Sequence, residues 1–252
     1  MRILVTGTSG YISKSFAAYY EGAEQISLRG DSWRAASFAG YDAVLHTAGL
    51  AHVRETKHNQ FDYYTINRDL AVDVAKKAKA EGVRQFVFLS SISVYGITKG
   101  IITPDTPVNP TTNYGRSKLA AESLLLALAD DEFKVAILRP PMVYGPGSPG
   151  NYSRLCRLVK IAPFFPDYPN ARSMISIGNL NAAIGDLIAS GEGGMFFPRD
   201  PEPVSTRDLA LGIAEGMGKE LRLTKVFNGL ISLLMPLNVV SKLFGDLVIG
   251  EG

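Results

Sequence analysis

A chain of 252 residues, 46% of them hydrophobic, is long enough to bury a sizeable core as one domain, or as one large domain with a small appendage. Its formal net charge of +2 comes without any block of basic residues interleaved with aromatics, which argues against nucleic acid as a partner. The lone Cys156 excludes an internal disulfide and suits a reducing cytoplasm.

The chain enters Arg2-Ile-Leu-Val-Thr6 directly, with no charged lead and long apolar stretch before it, so no secretion signal is expected. Arg2–Thr6 reads as a buried strand. Thr6-Gly7-Thr-Ser9-Gly10-Tyr11-Ile12-Ser13 follows it and leads into a helix-compatible stretch, the context in which a glycine motif means dinucleotide binding. Gly7 allows a tight turn, Gly10 lets the backbone approach a pyrophosphate, and the helix N-terminus supplies amides and a partial positive charge. Ser13 stands where the motif has a third glycine, and a small residue still packs helix on strand. Gly7, Ser9, Gly10, Tyr11 and Ile12 are therefore the cofactor candidates here.

The second strand is expected over Gln25–Leu28 and runs into Arg29-Gly30-Asp31. An NAD enzyme usually carries an acid at that point for the ribose hydroxyls. Arg29 can instead hold a 2′-phosphate, which favours NADP over NAD, the alternative being that Arg29 stacks on adenine while Asp31 takes another role. A third strand, Ala43–His46, precedes Thr47-Ala48-Gly-Leu-Ala51. His46 and His52 flank that segment and read as structural or cofactor-wall residues, with no metal-ligand spacing visible.

An amphipathic helix is expected over Arg68–Ala80, closed by Gly82, and then a buried strand over Gln85–Leu89 that ends in two hydroxyls, Ser90 and Ser91. A second amphipathic helix, Tyr114–Ala129, carries Tyr114 and Lys118 four residues apart on one face. An unperturbed tyrosine gives up its proton near pH ~10, so it works as acid or base at neutral pH only where a cation stabilises the phenolate. Lys118 is that cation, and the hydroxyls at the end of the preceding strand offer a third hydrogen-bonding group for the same substrate oxygen.

After the strand Lys134–Leu138 the texture changes. Pro140-Pro-Met-Val-Tyr-Gly-Pro-Gly-Ser-Pro-Gly150 reads as loop and opens a smaller, less regular region. The uncharged run from Val226 to Ser241, broken by Gly229 and Pro236, is shorter than the ~20 residues that span a bilayer and reads as buried helices or a substrate lid. The alternation of strands and helices predicts an α/β fold, a Rossmann-type doubly wound parallel sheet over residues 1–140, with a small C-terminal substrate-binding region over residues 141–252.

Taken together, Thr6-Gly-x-x-Gly10, Leu45-His-Thr-Ala-Gly49, Asn67, Ser90-Ser-Ile-Ser-Val-Tyr-Gly96, Tyr114-x-x-x-Lys118, Leu138-Arg-Pro140, Val143-Tyr-Gly-Pro-Gly147 and Arg172-Ser-Met-Ile-Ser-Ile177 make the chain resemble the extended short-chain dehydrogenases/reductases. That family comprises nucleotide-sugar epimerases, dehydratases and reductases, and the likeness covers nearly the whole chain. It implies that Tyr114 is the acid/base, that Lys118 tunes it and binds the nicotinamide ribose, and that Ser91 hydrogen-bonds the reacting oxygen, with Ser90 as the alternative partner. It implies cofactor contacts at Ala48 and Pro140, a substrate contact at Asn151, and a grip by Arg172 on the nucleotide diphosphate, for which a guanidinium is well suited. Asn67 is assigned support only; Tyr95 and Tyr144 stay open between sugar platforms and core aromatics.

Within the family, 4,6-dehydratases need an Asp-Glu pair where this chain has Ile92 and Ser93, so that activity is not expected. Met142 replaces an asparagine usual in epimerases of the UDP-galactose type. The segments around Gly30–Trp33, Ala48–Val53, Arg139–Asn151 and Arg172 are most similar to 4-ketoreductases of UDP-N-acetyl-6-deoxyhexosamine pathways in bacterial surface-polysaccharide synthesis. The resemblance thus implies an NAD(P)-dependent enzyme reducing a UDP-linked 4-keto sugar, with a UDP-hexose 4-epimerase as the alternative and a non-catalytic nucleotide sensor as the third reading. It further implies a cytoplasmic homodimer formed through the two amphipathic helices, with no membrane span, and a chain that is shortened at its C-terminus relative to the family.

Overall fold

The computed structural model describes residues 1–51 and 53–250, so His52 lies outside the described residues. In chain order the elements are β1 (Ile3–Thr6), α1 (Tyr11–Tyr19), β2 (Ala23–Ile26), α2 (Ser32–Ala35), β3 (Ala43–His46) and α3 (Gln60–Tyr64). A π-helical turn, Thr65–Asp69, joins α3 to α4 (Leu70–Ala80). Then come β4 (Gln85–Leu89), a 3₁₀ turn (Ile92–Tyr95), β5 (Gly100–Ile102), α5 (Asn113–Leu126), β6 (Lys134–Leu138), β7 (Met142–Tyr144), α6 (Asn151–Ile161) and β8 (Phe164–Pro166). The chain continues with β9 (Met174–Ser176), α7 (Ile177–Ser190), β10 (Gly194–Phe196), α8 (Thr206–Gly216), β11 (Arg222–Thr224), α9 (Asn228–Leu234), α10 (Asn238–Phe244) and β12 (Leu247–Ile249).

Two units emerge. The first takes residues 1–96, 108–141 and 177–198, the second 97–107, 142–176 and 199–250. Residues 177–198 belong to the first unit although they follow residue 140 in the chain. The chain enters the second unit early, where β5 pairs with β12, and re-enters the first with α7 and β10, which extends the main sheet beside β6.

The first unit is built on a six-stranded sheet in the order β10-β6-β4-β3-β1-β2, with every pairing parallel, as the alternating pattern predicts. β1, β3 and β4 are buried along their whole length, which is why they read as continuous apolar runs rather than alternating ones. The helices that cover the sheet contribute Ala71, Val74, Ala75 and Ala78 from α4 and Ala121 and Leu125 from α5, packed with Val44, Phe86, Phe88, Val135 and Ile137. Much of the apolar surface expected to be available for a partner chain is thus spent on the core; Leu124 and Leu126 of α5 remain exposed. The register Thr6↔His46↔Phe88↔Ile137 brings the loops after four strands to one edge of the sheet, the carboxyl edge at which open α/β sheets bind ligands.

Several elements differ from expectation. β2 spans Ala23–Ile26, two residues earlier than Gln25–Leu28, because Gly22 at φ +95° turns the chain directly into the strand and the Ser27 hydroxyl accepts the Arg29 N–H to end it. The helix expected from Arg68 begins earlier, through α3 and the π turn. Met142–Tyr144, within the stretch read as loop, pairs in parallel with β9.

The second unit contains the paired strands β5·β12, β7·β9 and β8·β11 and a core of Leu155, Val159, Phe165, Met174, Leu209, Ala210, Ile213, Ala214 and Leu221. The run from Val226 to Ser241 forms α9 and most of α10 but is not buried: Val226, Leu230, Leu233 and Leu237 are exposed, while Ile231 and Ser241 turn inward. Among the described residues no helix is long and apolar enough to cross a membrane.

Candidate active site

At the start of the first unit, Gly7 takes φ +100°, a conformation that favours glycine, and its N–H is held by the Ile26 carbonyl at 2.8 Å. Gly10 forms the N-cap of α1, and a Cβ there would press to 3.1 Å on the Ser13 hydroxyl. Ser13 is fully buried and donates back to the Gly10 carbonyl at 3.0 Å, so the small residue in the third motif position closes helix on strand. No side chain caps α1 and no acid sits in its first turn, leaving the amides of Tyr11, Ile12 and Ser13 oriented for an anion. Beside this, the Tyr11 hydroxyl is buried without a partner.

The β3 loop completes that wall. The Thr47 hydroxyl donates to the Thr6 carbonyl at 2.7 Å, setting Ala48 against Gly7. Gly49 is closely packed: a Cβ there would sit 3.0 Å from Asn67 Oδ1 and 3.3 Å from Lys118 Nζ, pressing on both side chains. His46 is buried and stacked on Phe86 and Phe88, its Nδ1 lies 3.0 Å from the Thr6 hydroxyl, and its Nε2 has no partner. Burial, followed by the charge of Lys118, pulls its pKa down to about 3, so it is a neutral structural residue. Arg29 and Asp31 lie exposed beyond β2; Asp31 is engaged by Arg34 at 3.3 Å, while no side-chain bond is described for Arg29. Pro140 is buried and its carbonyl accepts the Ile92 N–H at 3.2 Å. A glycine turn, an uncapped helix start and an orphaned phenol fit a dinucleotide.

The β4 loop delivers Ser91, which caps the 3₁₀ turn by accepting the Ser93 N–H at 3.1 Å. Across from it, α5 starts at Thr112, whose hydroxyl caps the Gly115 N–H at 3.1 Å, and sets Tyr114 and Lys118 one turn apart. Gly115 permits this approach: a Cβ would fall 2.6 Å from the Ser93 carbonyl. Burial pushes the Tyr114 phenol up to about 12, eased by a hydrogen bond with Ser91. The buried Lys118 ammonium donates to the Leu89 carbonyl at 2.7 Å, lies 4.5 Å from the Phe88 ring centroid, and is pulled down to about 7 by burial against the opposing pull of Glu122. The Tyr114 phenol is set by burial, Ser91 and Tyr63, and Lys118 is not among the groups that shift it. Tyr114 stands as a protonated acid, and Lys118 is turned toward the strand end.

Three further groups steady the helix. Glu55 accepts the backbone N–H of Asn113 and of Tyr114, both at 3.1 Å, and the Asn113 side-chain amide at 3.2 Å. Asn67, on the π turn, accepts the Leu50 N–H at 2.6 Å and donates to the Ser117 hydroxyl at 3.0 Å, which itself donates to the Tyr114 carbonyl at 2.9 Å. A buried pair joins Arg139 to Glu122 at 2.6 Å, with the Ser90 hydroxyl donating to Glu122 and the Tyr95 hydroxyl accepting from Arg139 at 2.8 Å. This places Tyr95 in the core network and gives Ser90 a partner of its own, leaving Ser91 as the hydroxyl beside Tyr114. Glu55 carries no motif and was invisible in the sequence; Glu122, one turn beyond Lys118, could have been found by its spacing.

In the second unit, Asn151 is the exposed first residue of α6. Arg172 is turned to its own chain, Nη1 donating to the carbonyls of Ser241 at 3.3 Å and Gly245 at 2.5 Å, and burial lowers its pKa against the pull of Asp246. Tyr144 donates to Asp200 at 2.8 Å.

The profile of the NAD dependent epimerase/dehydratase family matches residues 3–161, well over half of the chain. The chain belongs to that family. Among its relatives, a UDP-glucose 4-epimerase of Vibrio cholerae is 37% identical over 70% of this chain and 57% of its own length. The N-acetyl-α-D-glucosaminyl-diphospho-ditrans,octacis-undecaprenol 4-epimerase of Escherichia coli O157:H7 is 30% identical over 57% of this chain and 44% of its own. The chain thus spans about half the length of the curated relatives it matches. Among solved structures, the UDP-glucuronic acid 4-epimerase of Bacillus cereus in complex with NAD superposes with a TM-score of 0.73 at 18% identity, over 99% of this chain and 90% of that one, a likeness of fold. For this epimerase/dehydratase family member, the parallel sheet described above is the fold shared with that solved structure.

Proposed function

We propose that this family member is an NAD(P)-dependent oxidoreductase acting at C4 of a nucleotide-activated sugar, and that it reduces a UDP-4-keto-6-deoxy-N-acetylhexosamine. The observation that supports this reading is geometric: Ser91, at the end of β4, stands beside the Tyr114 phenol, with Lys118 one turn further along α5. When bound, the nicotinamide cofactor supplies the hydride. Tyr114 gives its proton to the O4 alkoxide as charge develops there, and Ser91 orients that oxygen. Lys118, in its charged form, offsets the phenolate left behind. Gly7, Ser9, Gly10, Tyr11, Ile12, Ala48 and Pro140 form the cofactor wall, and Arg29 is the group for an NADP 2′-phosphate. Asn151 and Arg172 are assigned to the sugar nucleotide; Arg172 must exchange its carbonyl partners for a diphosphate to serve there.

The likeness to the Vibrio cholerae UDP-glucose 4-epimerase favours a second reading, in which the same three residues oxidise C4 and reduce it again from the other face without net use of cofactor. One incubation separates the two. With NADPH or NADH and a UDP-4-keto-6-deoxy-N-acetylhexosamine, stoichiometric loss of reduced cofactor and a new 4-hydroxy sugar nucleotide supports the reductase. Constant cofactor, with UDP-glucose or UDP-N-acetylglucosamine turned into its C4 epimer in a parallel tube, replaces it with the epimerase.

A further inference from the structure

On the second unit, α6 buries Leu155 and Val159 and shows Arg154, Arg157, Leu158 and Ile161 to solvent, residues at i, i+3, i+4 and i+7 that share a helix face. The segment through α9 shows a similar pattern: Val226, Leu230 and Leu233 are exposed around the buried Ile231. Exposure reaches 79% at Ile161, 83% at Val226 and 74% at Leu233, high values for large apolar side chains. The segments are linked within the unit through the β8·β11 pair. Lys219 Nζ donates to the carbonyls of Val159, Lys160 and Ala162 at 2.7–3.0 Å, β8 pairs with β11 so that exposed Phe164 stands opposite Arg222, and the Asn228 amide donates to the Asp167 carbonyl at 2.8 Å.

The charge on this face is one-sided. Residues 151–164 and 219–237 hold six lysines and arginines against one carboxylate, Glu220, in a chain whose totals are 26 and 24. Arg154, Arg157, Lys160 and Lys225 are exposed and enter no ion pair among the described residues. Cations also stand next to exposed apolar residues along the chain, in Arg157-Leu158, Lys160-Ile161, Arg222-Leu223 and Lys225-Val226. Such side chains reach past an apolar surface to place their charge at its rim.

We propose that this face docks peripherally on an anionic phospholipid surface, with the leucines, Ile161 and Val226 entering the interfacial layer and the cations meeting the headgroups. A second copy of the chain is a poorer occupant, because a two-fold contact would set this basic face against itself. The helices here are too short to span, so the association is one of lying on the surface and reversible. The assignment is independent of the chemistry at Tyr114.

The test is flotation of the full chain with vesicles of phosphatidylcholine alone or mixed with phosphatidylglycerol. Recovery with the mixed vesicles, reduced by high salt and absent from the neutral ones, is expected. Each cation near an anionic surface strengthens binding about five-fold, so the triple change Arg154→Gln, Arg157→Gln, Lys160→Gln should weaken it about a hundred-fold. The pair Leu230→Ser, Leu233→Ser should weaken it as well, with an unchanged circular dichroism spectrum. No flotation with either vesicle, or equal recovery with both, overturns the proposal. So does a concentration-dependent dimer that Leu233→Glu abolishes in a chain that ignores lipid; that result assigns the face to a second copy.

Discussion

The Glu55 carboxylate accepts the backbone N–H of Tyr114 at 3.1 Å, so a loop residue far from the helix in sequence fixes the first turn of the helix that carries the proposed acid. Together with the two bonds to Asn113, it serves as an anionic cap on a helix N-terminus. Glu55→Ala is expected to cost about 1 kcal/mol, seen as a fall of about 2–4 °C in the melting temperature for a chain of this size. Turnover should fall while Glu55→Gln retains part of both. A variant that melts and turns over like the parent would remove Glu55 from this role.

Tyr114→Phe keeps the ring in its packing and removes the proton. Turnover should drop by about 10²–10⁴-fold, with NAD(P) affinity unchanged in a fluorescence titration. Near-normal turnover would rule out Tyr114 as the acid.

The Arg139–Glu122 pair is buried on both sides, with side-chain exposures of 9% and 2%. Removing one partner strands a charge, so Glu122→Leu or Arg139→Met alone should destabilise the chain by about 3–5 kcal/mol in urea unfolding. The double variant should recover much of that loss. Additive losses would mean that the two side chains do not act as a pair.

Acid lability should trace in part to His46, whose folded pKa of about 3 lies below its ordinary value of 6.5. Between those values the unfolded chain binds the extra proton, so folding stability is present above pH 6.5 and is lost as the pH falls toward 3. The slope attributable to this residue is at most about 1.4 kcal/mol per pH unit. Replacing His46 with Asn should flatten the stability profile across that window in denaturant titrations at stepped pH. An unchanged slope would locate acid lability elsewhere.

The sequence exposed those parts of the molecule whose constraints are local. β3, β4 and β6 were legible to the residue because a buried parallel strand is an unbroken apolar run, and Gly7 and Gly10 because a turn at a helix start leaves few alternatives. β10 left no trace: Gly194–Phe196 is a three-residue strand beside glycines, and only its pairing with β6 makes it part of the sheet. The same holds for Glu55, which has no periodic or motif context and finds Tyr114 through a contact spanning 59 residues. The spacing of Tyr114 and Lys118 leaves their ionisation open for a related reason. Spacing places Lys118 near Tyr114, but the balance between ammonium and phenol depends on burial and on the Leu89 carbonyl, which spacing does not encode.

The widened turn at Thr65–Asp69 keeps a long helical segment in phase. Tyr63, Asn67, Ala71 and Ala75 are all buried at four-residue intervals, and each such step overshoots a regular 3.6-residue turn by about 40°. An unbroken α-helix would wind this stripe off its face. The looser turn, closed by the Leu70 N–H on the Thr65 carbonyl, absorbs part of that overshoot, so one continuous edge can bond the Leu50 loop and Ser117 at Asn67 and still lay its alanines on the sheet. The segment therefore acts as a vernier, and its single extra residue is what lets the Leu50 loop, α5 and the core be read off the same line.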